Sequence, residues 1–152
     1  MMFNGYHLFI EDHNEIGNNL FIGSVPDGVA DKKFRWIVDL FGKLDYSVGK
    51  EQDRIIAPFL DESYPLPELS FIEGLADLVN QLRKSGPVLV HCLAGMNRSG
   101  LVCAFALMKH ENLSATKAKT RLREIRSDGV LHNSAFEKMI DQYDQKRKLA
   151  IN

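Results

Sequence analysis

The stretch PVLVHCLAGMNRSGLVCAFALM, residues 87–108, predicts a strand, a turn and a helix in direct succession. PVLVH (87–91) is an apolar run of strand length, and the apolar segment that begins near Arg98 is long enough for a buried helix. Residues 92–97 are therefore expected to form the turn between them. Ligands in open α/β sheets bind at such carboxyl ends of strands, so this turn is the first candidate for a functional site.

Short apolar runs separated by turn-forming residues predict the other strands. These runs are LFI (8–10), LFIG (20–23), WIVDL (36–40) and RIIAPF (54–59). The polar stretch EDHNEIGNN (11–19) lies between the first two runs and is not itself predicted to be a strand.

Helical spacing of apolar residues predicts the helices. They are expected over 27–33, over 68–84, from 98 to 110, from a Ser114 cap to about 128, and over a last segment that includes 136–143. Strands that alternate with helices predict one α/β domain over residues 1–152. Its central sheet is expected to be mixed and mostly parallel, with about five strands and helices on both faces.

Composition narrows the class of protein. A chain of 152 residues with 45% hydrophobic content suits one globular domain, and a net charge of -1 gives no global attraction to nucleic acid or to an anionic membrane. The longest apolar run (101–108) is too short to cross a bilayer. The N-terminus lacks a signal-peptide pattern, and two cysteines do not make a disulfide scaffold. We expect a soluble, cytoplasmic protein with reduced thiols.

The turn after the fifth strand has the residues needed to bind an anion. Backbone N–H groups in such a turn can point inward as a nest, and the following helix adds its unpaired N-terminal donors. Gly95 permits backbone angles that a side chain would resist. Arg98 can hold two oxygens of a phosphate through its planar guanidinium group.

The same turn begins with a cysteine. Positive surroundings favour the thiolate form, so Cys92 beside an anion site predicts nucleophilic attack on phosphorus. Ser99 is expected to donate a hydrogen bond to the sulfur when it later leaves, and His91 to orient the loop through a backbone hydrogen bond. Cys103 lies inside the apolar helix and is interpreted as an inert core residue.

The segment HCLAGMNRSG (91–100) resembles the phosphate-binding loop of cysteine-dependent protein phosphatases, most closely the compact dual-specificity group. NNLFIGS (18–24), WIVDL (36–40), RIIAPFLDE (54–62) and LREIRSDGVLHNSAF (122–136) extend the resemblance to nearly the whole chain from about residue 15. The resemblance implies a phosphate-binding loop made of His91, Leu93, Ala94, Gly95, Met96, Asn97 and Arg98.

The chemistry also needs an acid, because an alkoxide or phenoxide departs far more readily when it is protonated. Asp61, in FLDESYPLP (59–67), precedes the helix over 68–84 and matches the general acid of the family by position. Glu62 is the rival candidate. The alternative for Asp61 is a turn-forming role before Ser63 and Pro65.

No cofactor is expected, since the nest and Arg98 supply the positive charge, and the five histidines show no metal-binding spacing. The predicted substrate is a phosphorylated protein or peptide, bound in a shallow site that accepts phosphotyrosine and phosphoserine or phosphothreonine. Tyr64 is a candidate for the rim of that site. Uncharged side chains in the loop disfavour a polyphosphoinositide.

Two alternatives stay open. RNA 5′-triphosphatases of the family share the asparagine before the arginine, here Asn97, but have a second histidine where this chain has Ala94. A phosphate-binding module without turnover is the other, although inactive relatives typically lose the cysteine or the arginine. The basic residues of one predicted helix are interpreted as a solvated face, not as an RNA site; they are Lys117, Lys119, Arg121, Arg123 and Arg126.

Overall fold

A computed structural model of the protein describes residues 2–3, 6–7, 11–43 and 46–151. The strands in these segments are β1 Met2–Phe3, β2 Tyr6–His7, β3 His13–Gly17, β4 Leu20–Gly23, β5 Gly28–Val29, β6 Trp36–Asp39, β7 Tyr46–Ser47, β8 Asp53–Ile56 and β9 Val88–His91. The helices are α1 Leu69–Leu82, α2 Arg98–Glu111, α3 Ala115–Ile125 and α4 Ser134–Ile151. None of these helices is long and apolar enough to cross a lipid bilayer.

The central sheet has five strands in the order β3-β4-β9-β6-β8. β3 is antiparallel to β4, and the other neighbours are parallel. This confirms the predicted α/β fold with a mixed, mostly parallel sheet. The register aligns Gly23, His91 and Asp39 at the carboxyl edge, so the turn after β9 begins in the middle of that edge.

Helix α2 forms the centre of the core. Residues 99–108 are all buried, which explains the uninterrupted apolar run in this part of the sequence. Cys103 has no exposed surface, and burial raises the pKa of its thiol. The predicted packing role of Cys103 agrees with this position.

Within the described residues the four helices pack against one face of the sheet, which differs from the expectation of helices on both faces. Val38 and Val90 point to the face where the buried side chains of all four helices pack. Ile37 and Leu89, their neighbours in the strands, point to the other face. Non-helical segments cover that face, with Ala30, Phe34 and Tyr46 as their buried side chains.

The predicted helix over 27–33 is also wrong. Gly28 has a φ of +74° and begins β5, which pairs with β7. The backbone N–H of Lys33 donates to the carboxylate of Asp31 at 3.0 Å and closes a turn instead of continuing a helix. Local hydrogen bonds of this kind compete with helix formation.

The polar stretch 11–19 contains the edge strand β3, which the sequence did not predict. Ile16 is the one residue of this strand that is buried; Glu15 is exposed, and the other three residues are half-buried. A strand that buries so little apolar surface lacks the alternation by which strands are recognised. The predicted strand LFI (8–10) lies outside the described residues.

The remaining boundaries differ from the predictions by a few residues. The strand predicted over 54–59 ends at Ile56; the N–H of Ala57 still donates to Asp39, but Pro58 has no N–H with which to continue the pairing. The hydroxyl of Ser114 accepts from the N–H of Lys117 at 3.2 Å, which confirms the predicted cap of α3.

Candidate active site

The carbonyl groups of residues 92–97 all accept hydrogen bonds from groups that surround the loop. The donors, in order along the loop, are Nδ1 of His91, the N–H of Val25, Nη2 of Arg126, Nε of Arg126, the N–H of Leu131 and the N–H of Leu101. Their donor–acceptor distances lie between 2.8 and 3.1 Å. The oxygen side of the loop is therefore fully occupied.

The N–H groups of the same loop are free. Within the segments that the structure describes, no amide of residues 93–97 donates to a protein acceptor. Asn97, at the N-cap of α2, makes no side-chain cap bond to the helix either. Unpaired amides at a helix N-terminus form a binding site for an anion.

Gly95 is required by the path of the loop. Its φ is +71°, in the left-handed region that favours glycine. A Cβ atom at this position would lie 2.5 Å from the carbonyl oxygen of Gly23 and 2.6 Å from Nη2 of Arg126. The loop is thus packed tightly against the end of β4.

Cys92 and Ser99 meet at the base of the loop. Sγ of Cys92 lies 3.3 Å from Oγ of Ser99, and the two residues are 3% and 0% exposed. The first turn of α2 places Ser99 there. When the sulfur is a thiolate it only accepts, so the hydroxyl is then the donor.

Arg98 lies between the loop and the segment that follows β8. Its Nη1 donates to the carbonyl oxygen of Phe59 at 3.3 Å, and its Cζ is 5.4 Å from the centre of the Phe41 ring. Its Nε is buried and has no partner among the described residues. Part of the guanidinium fork is therefore available to an oxyanion.

The hydrogen bonds of His91 favour one neutral tautomer. Nδ1 lies 2.9 Å from the carbonyl oxygen of Cys92, which only accepts, so Nδ1 carries a proton. Nε2 then accepts from the hydroxyl of Tyr46 at 2.6 Å. Burial is the main cause that lowers the pKa of His91, and burial also raises the pKa of Tyr46 to about 12. A neutral imidazole thus supports the first carbonyl of the loop.

Asp61 lies in the segment that follows β8 and contacts Asn97 of this loop. Its Oδ2 accepts from Nδ2 of Asn97 at 2.9 Å, and its Oδ1 accepts from Nδ2 of Asn133 at 2.9 Å. Within the described chain, Glu62 accepts a hydrogen bond at its backbone carbonyl and none at its carboxylate. The structure brings the carboxylate of Asp61, and not that of Glu62, to the loop of residues 92–97.

Residues 20–146 match the family model described as dual specificity phosphatase, catalytic domain. The chain belongs to the dual specificity phosphatase family. It is 39% identical over 139 residues to a tyrosine-protein phosphatase of Schizosaccharomyces pombe, covering 88% of this chain and 42% of that protein. It is 32% identical over 72 residues to the human dual specificity protein phosphatase 21, covering 47% of this chain and 38% of that protein. The chain thus spans less than half the length of these two relatives.

A solved structure supports the fold of this family member. A mouse putative dual specificity phosphatase complexed with zinc tungstate superposes with a TM-score of 0.82 at 20% identity. The superposition covers 96% of this chain and 94% of the mouse chain. At this level of identity the likeness concerns the fold.

The interpretation of the basic residues of α3 as a solvated face holds for Lys117, which is exposed, but is corrected for Lys119 and for Arg126 at the C-cap of the helix. Arg126 is 8% exposed and holds two carbonyls of the phosphate-binding loop. Lys119 is 9% exposed, and its Nζ lies 2.8 Å from Asp141. A signal for Arg126 exists in the sequence, since it follows Ala118 and Leu122 at helical spacing and takes the inward position.

His132 and Asn133 are the other site residues that the sequence did not single out. His132 contacts Asn97 and Asn133 contacts Asp61, across 35 and 72 positions of the chain. Asn133 caps α4, since its Oδ1 accepts from the N–H of Ala135 at 3.1 Å. The capping rule can find that role in the sequence, but neither spacing nor composition indicates the contact with Asp61.

Proposed function

We propose that the protein is a phosphatase that hydrolyses phosphotyrosine and phosphoserine or phosphothreonine monoesters of proteins through a phosphocysteine intermediate. The observation that carries the proposal is the orientation of residues 92–97. All their carbonyls are bound from outside, while the amides of 93–97 stay unpaired next to the buried thiol of Cys92. A loop of this kind binds three phosphate oxygens and leaves the phosphorus open to the sulfur.

In the first step the thiolate of Cys92 attacks phosphorus and forms an S–P bond. The P–O bond of the ester breaks, and its electron pair stays on the ester oxygen. Asp61 supplies the proton, so that an alcohol or a phenol leaves. The loop amides and the guanidinium group of Arg98 stabilise the charge on the phosphoryl oxygens.

In the second step water attacks the phosphocysteine. The Asp61 carboxylate accepts a proton from this water, the S–P bond breaks, and inorganic phosphate is released. The electron pair returns to the sulfur of Cys92. The hydroxyl of Ser99, 3.3 Å away, stabilises the thiolate as it leaves.

The structure gives Asn97 a role that is unrelated to RNA. Its side chain binds Asp61, His132 and the N–H of Asn133. An asparagine before the arginine is therefore explained by local contacts. This supports a monoester over the 5′ end of an RNA, and the retained Cys92 and Arg98 support turnover over binding alone.

The surroundings of the loop support a protein substrate. Leu60 and Tyr64, on the two sides of Asp61, are 62% and 86% exposed, and Leu93 is 51% exposed. Exposed, mostly apolar side chains next to Asp61 and in the loop suit contact with a peptide, and this supports a site that accepts phosphorylated side chains of different length. The sheet and all four helices share one core, which supports a single catalytic domain. A thiolate nucleophile works only when reduced, and this supports a cytoplasmic location.

The test is a substrate panel with the purified protein. Peptides with phosphotyrosine, phosphoserine or phosphothreonine should release phosphate, unlike an inositol phosphate headgroup or a 5′-triphosphorylated RNA. Cys92→Ser should abolish release, because a neutral hydroxyl cannot replace the thiolate. Mass spectrometry of acid-quenched wild-type protein should find the phosphate on Cys92.

The second buried cysteine offers a matched control. Cys103→Ala should keep the activity, since Cys103 lies in the core. Turnover by Cys92→Ser within about tenfold of wild type would contradict the mechanism, because loss of a covalent nucleophile costs far more than that. Release from the triphosphorylated RNA alone would overturn the substrate class.

A further inference from the structure

The side chain of Asn97 satisfies all its hydrogen-bonding groups at once. Its Nδ2 lies 2.9 Å from Oδ2 of Asp61 and 3.0 Å from Nε2 of His132, so each amide proton has one acceptor. Its Oδ1 accepts from the N–H of Asn133 at 2.9 Å. Asn97 is 3% exposed, whereas Asp61 and His132 are exposed, so only the amide at the centre of this cluster is shielded from water.

The state of His132 follows from its other nitrogen. Nδ1 lies 2.9 Å from the carbonyl oxygen of Gly129, which only accepts, so Nδ1 carries the proton. Nδ2 of Asn97 can only donate, so Nε2 of His132, 3.0 Å away, is the acceptor. It requires a donor from Asn97, and Nδ2 is the only donor on that side chain.

An amide can be turned by 180° with little change in shape, and the two orientations differ in which atom faces each partner. In the observed orientation an N–H faces Asp61. In the reversed one Oδ1 would face the Asp61 carboxyl, and Nδ2 would face the N–H of Asn133 as donor against donor. His132 and the N–H of Asn133 both select the observed orientation.

We propose that His132 is a positioning residue that acts through Asn97 to hold the Asp61 carboxyl beside the phosphate-binding loop. The inference rests on the proposed function, in which Asp61 is the acid. Asp61 is exposed, and within the described chain its carboxyl has two side-chain partners, Asn97 and Asn133. Little packing fixes this carboxyl, so the direction of the Asn97 amide decides where Oδ2 lies.

The expected signature depends on the leaving group. A misplaced acid slows the release of a poor leaving group, whereas an aryl phosphate with a very acidic phenol hardly needs the proton. His132→Phe keeps a ring of similar size but has no acceptor. It should lower kcat/KM for a phosphoserine peptide about tenfold and for the activated aryl phosphate less than about twofold, since one orienting bond of two is lost.

Rescue by a chosen variant separates positioning from packing. His132→Gln places an amide oxygen where Nε2 accepts, so it should bring kcat/KM for the phosphoserine peptide back to within about threefold of wild type. His110→Phe is the matched control, because His110 is an exposed histidine of α2 and should leave both substrates unchanged. A uniform loss on both substrates in His132→Phe, or no loss, would overturn the inference.

A second measurement does not depend on activity. The side-chain amide resonances of Asn97 in a ¹H–¹⁵N spectrum should shift in His132→Phe and return toward wild type in His132→Gln. Identical Asn97 resonances in wild type and His132→Phe would overturn the inference even with activity intact. If the wild-type protein hydrolysed no phosphomonoester, the proposed function would fail, and the spectrum would still decide whether His132 orients Asn97.

Discussion

Nε of Arg126 donates to the carbonyl oxygen of Gly95 at 2.8 Å, across 31 positions of sequence. The same guanidinium group binds the carbonyl of Ala94 through Nη2 and the segment before β4 through Nη1, at Glu11 and Asn14. One buried side chain thus joins the C-terminal end of α3, the N-terminal edge of the sheet and the outer side of the loop of residues 92–97. The inward direction of the loop amides depends on this contact.

Arg126→Lys should therefore damage both activity and stability. A single ammonium group cannot replace a planar fork that serves four acceptors, and the carbonyls it abandons stay buried. We expect kcat/KM to fall by about 10- to 100-fold and the free energy of unfolding by about 1–3 kcal/mol. Steady-state kinetics and urea denaturation measure the two effects.

Arg121 is the matched control on the same helix. It is paired with Glu111 in a half-exposed ion pair, so Arg121→Lys should change the free energy of unfolding by less than about 1 kcal/mol and leave kcat/KM unchanged. Equal effects of the two substitutions would show that Arg126 has no particular role in the loop.

Ser99→Ala should slow the second chemical step more than the first. The hydroxyl that stabilises the departing thiolate is removed, while attack by the thiolate keeps its geometry. A burst of product followed by turnover that is about 10- to 100-fold slower is expected in rapid-quench measurements, with an aryl phosphate as substrate. Ser114→Ala, which removes the cap of α3, should cost about 1 kcal/mol of stability without a burst. Normal turnover and no burst in Ser99→Ala would refute this role.

Asp61→Asn keeps the shape of the side chain but removes the proton that it donates. We expect a loss of about 10² or more in kcat/KM for a phosphoserine peptide and a smaller loss for an activated aryl phosphate. The alkaline limb of the pH profile of kcat/KM should flatten. Glu62→Gln is the control and should change neither property, because within the described chain the Glu62 carboxylate accepts no hydrogen bond from the loop. The reverse pattern would make Glu62 the acid.

Stability should fall on acidification because of His91. Burial lowers the folded-state pKa of His91 below its ordinary value of 6.5, so the unfolded chain takes up a proton first. The contribution of His91 to the free energy of unfolding is complete above pH 6.5. It is lost as the pH falls from 6.5 toward the lowered pKa, by at most about 1.4 kcal/mol per pH unit. Urea denaturation from pH 7.5 to 5.5 measures this slope.

His91→Asn tests this assignment. It should make the free energy of unfolding depend less on pH, whatever its effect on the stability at a single pH. Part of the slope should persist, because burial also lowers the pKa of His13. His110→Gln, at the exposed end of α2, should leave the slope unchanged. A slope that is identical in wild type and His91→Asn would show that His91 is protonated equally in both states.

The segment from β9 to α2 could be predicted because its signals are local. In the sequence, an apolar run of strand length, a glycine in the turn and a continuous apolar run of helix length can each be recognised within a short segment. The structure places β9, the positive φ of Gly95 and the buried helix α2 there. The position of Asp61 before α1 was also predicted from the sequence. Where a strand or helix buries a full face, the pattern of its residues predicted it.

The parts that failed depend on contacts between distant segments. β3 buries Ile16 alone, so its pattern is that of a loop, and the pairing with β4 makes it a strand. Arg126 is charged and still buried, because loop carbonyls 31 and 32 positions away accept its protons. His132 meets Asn97 only once α3 and α4 have packed. Sequence periodicity records burial of apolar surface and not the pairing of polar groups.

The backbone and the side chain of Leu93 have separate roles in the loop of residues 92–97. This separation can be used in protein engineering and in inhibitor design. The backbone carbonyl of Leu93 is fixed by Val25, yet half of the residue's surface faces outward. Exchanging this side chain should alter which neighbouring groups are tolerated without weakening the proposed binding of phosphate, since the backbone amides and Arg98 provide that binding. A selective inhibitor would gain discrimination by reaching toward position 93, while a larger phosphate mimic would gain none.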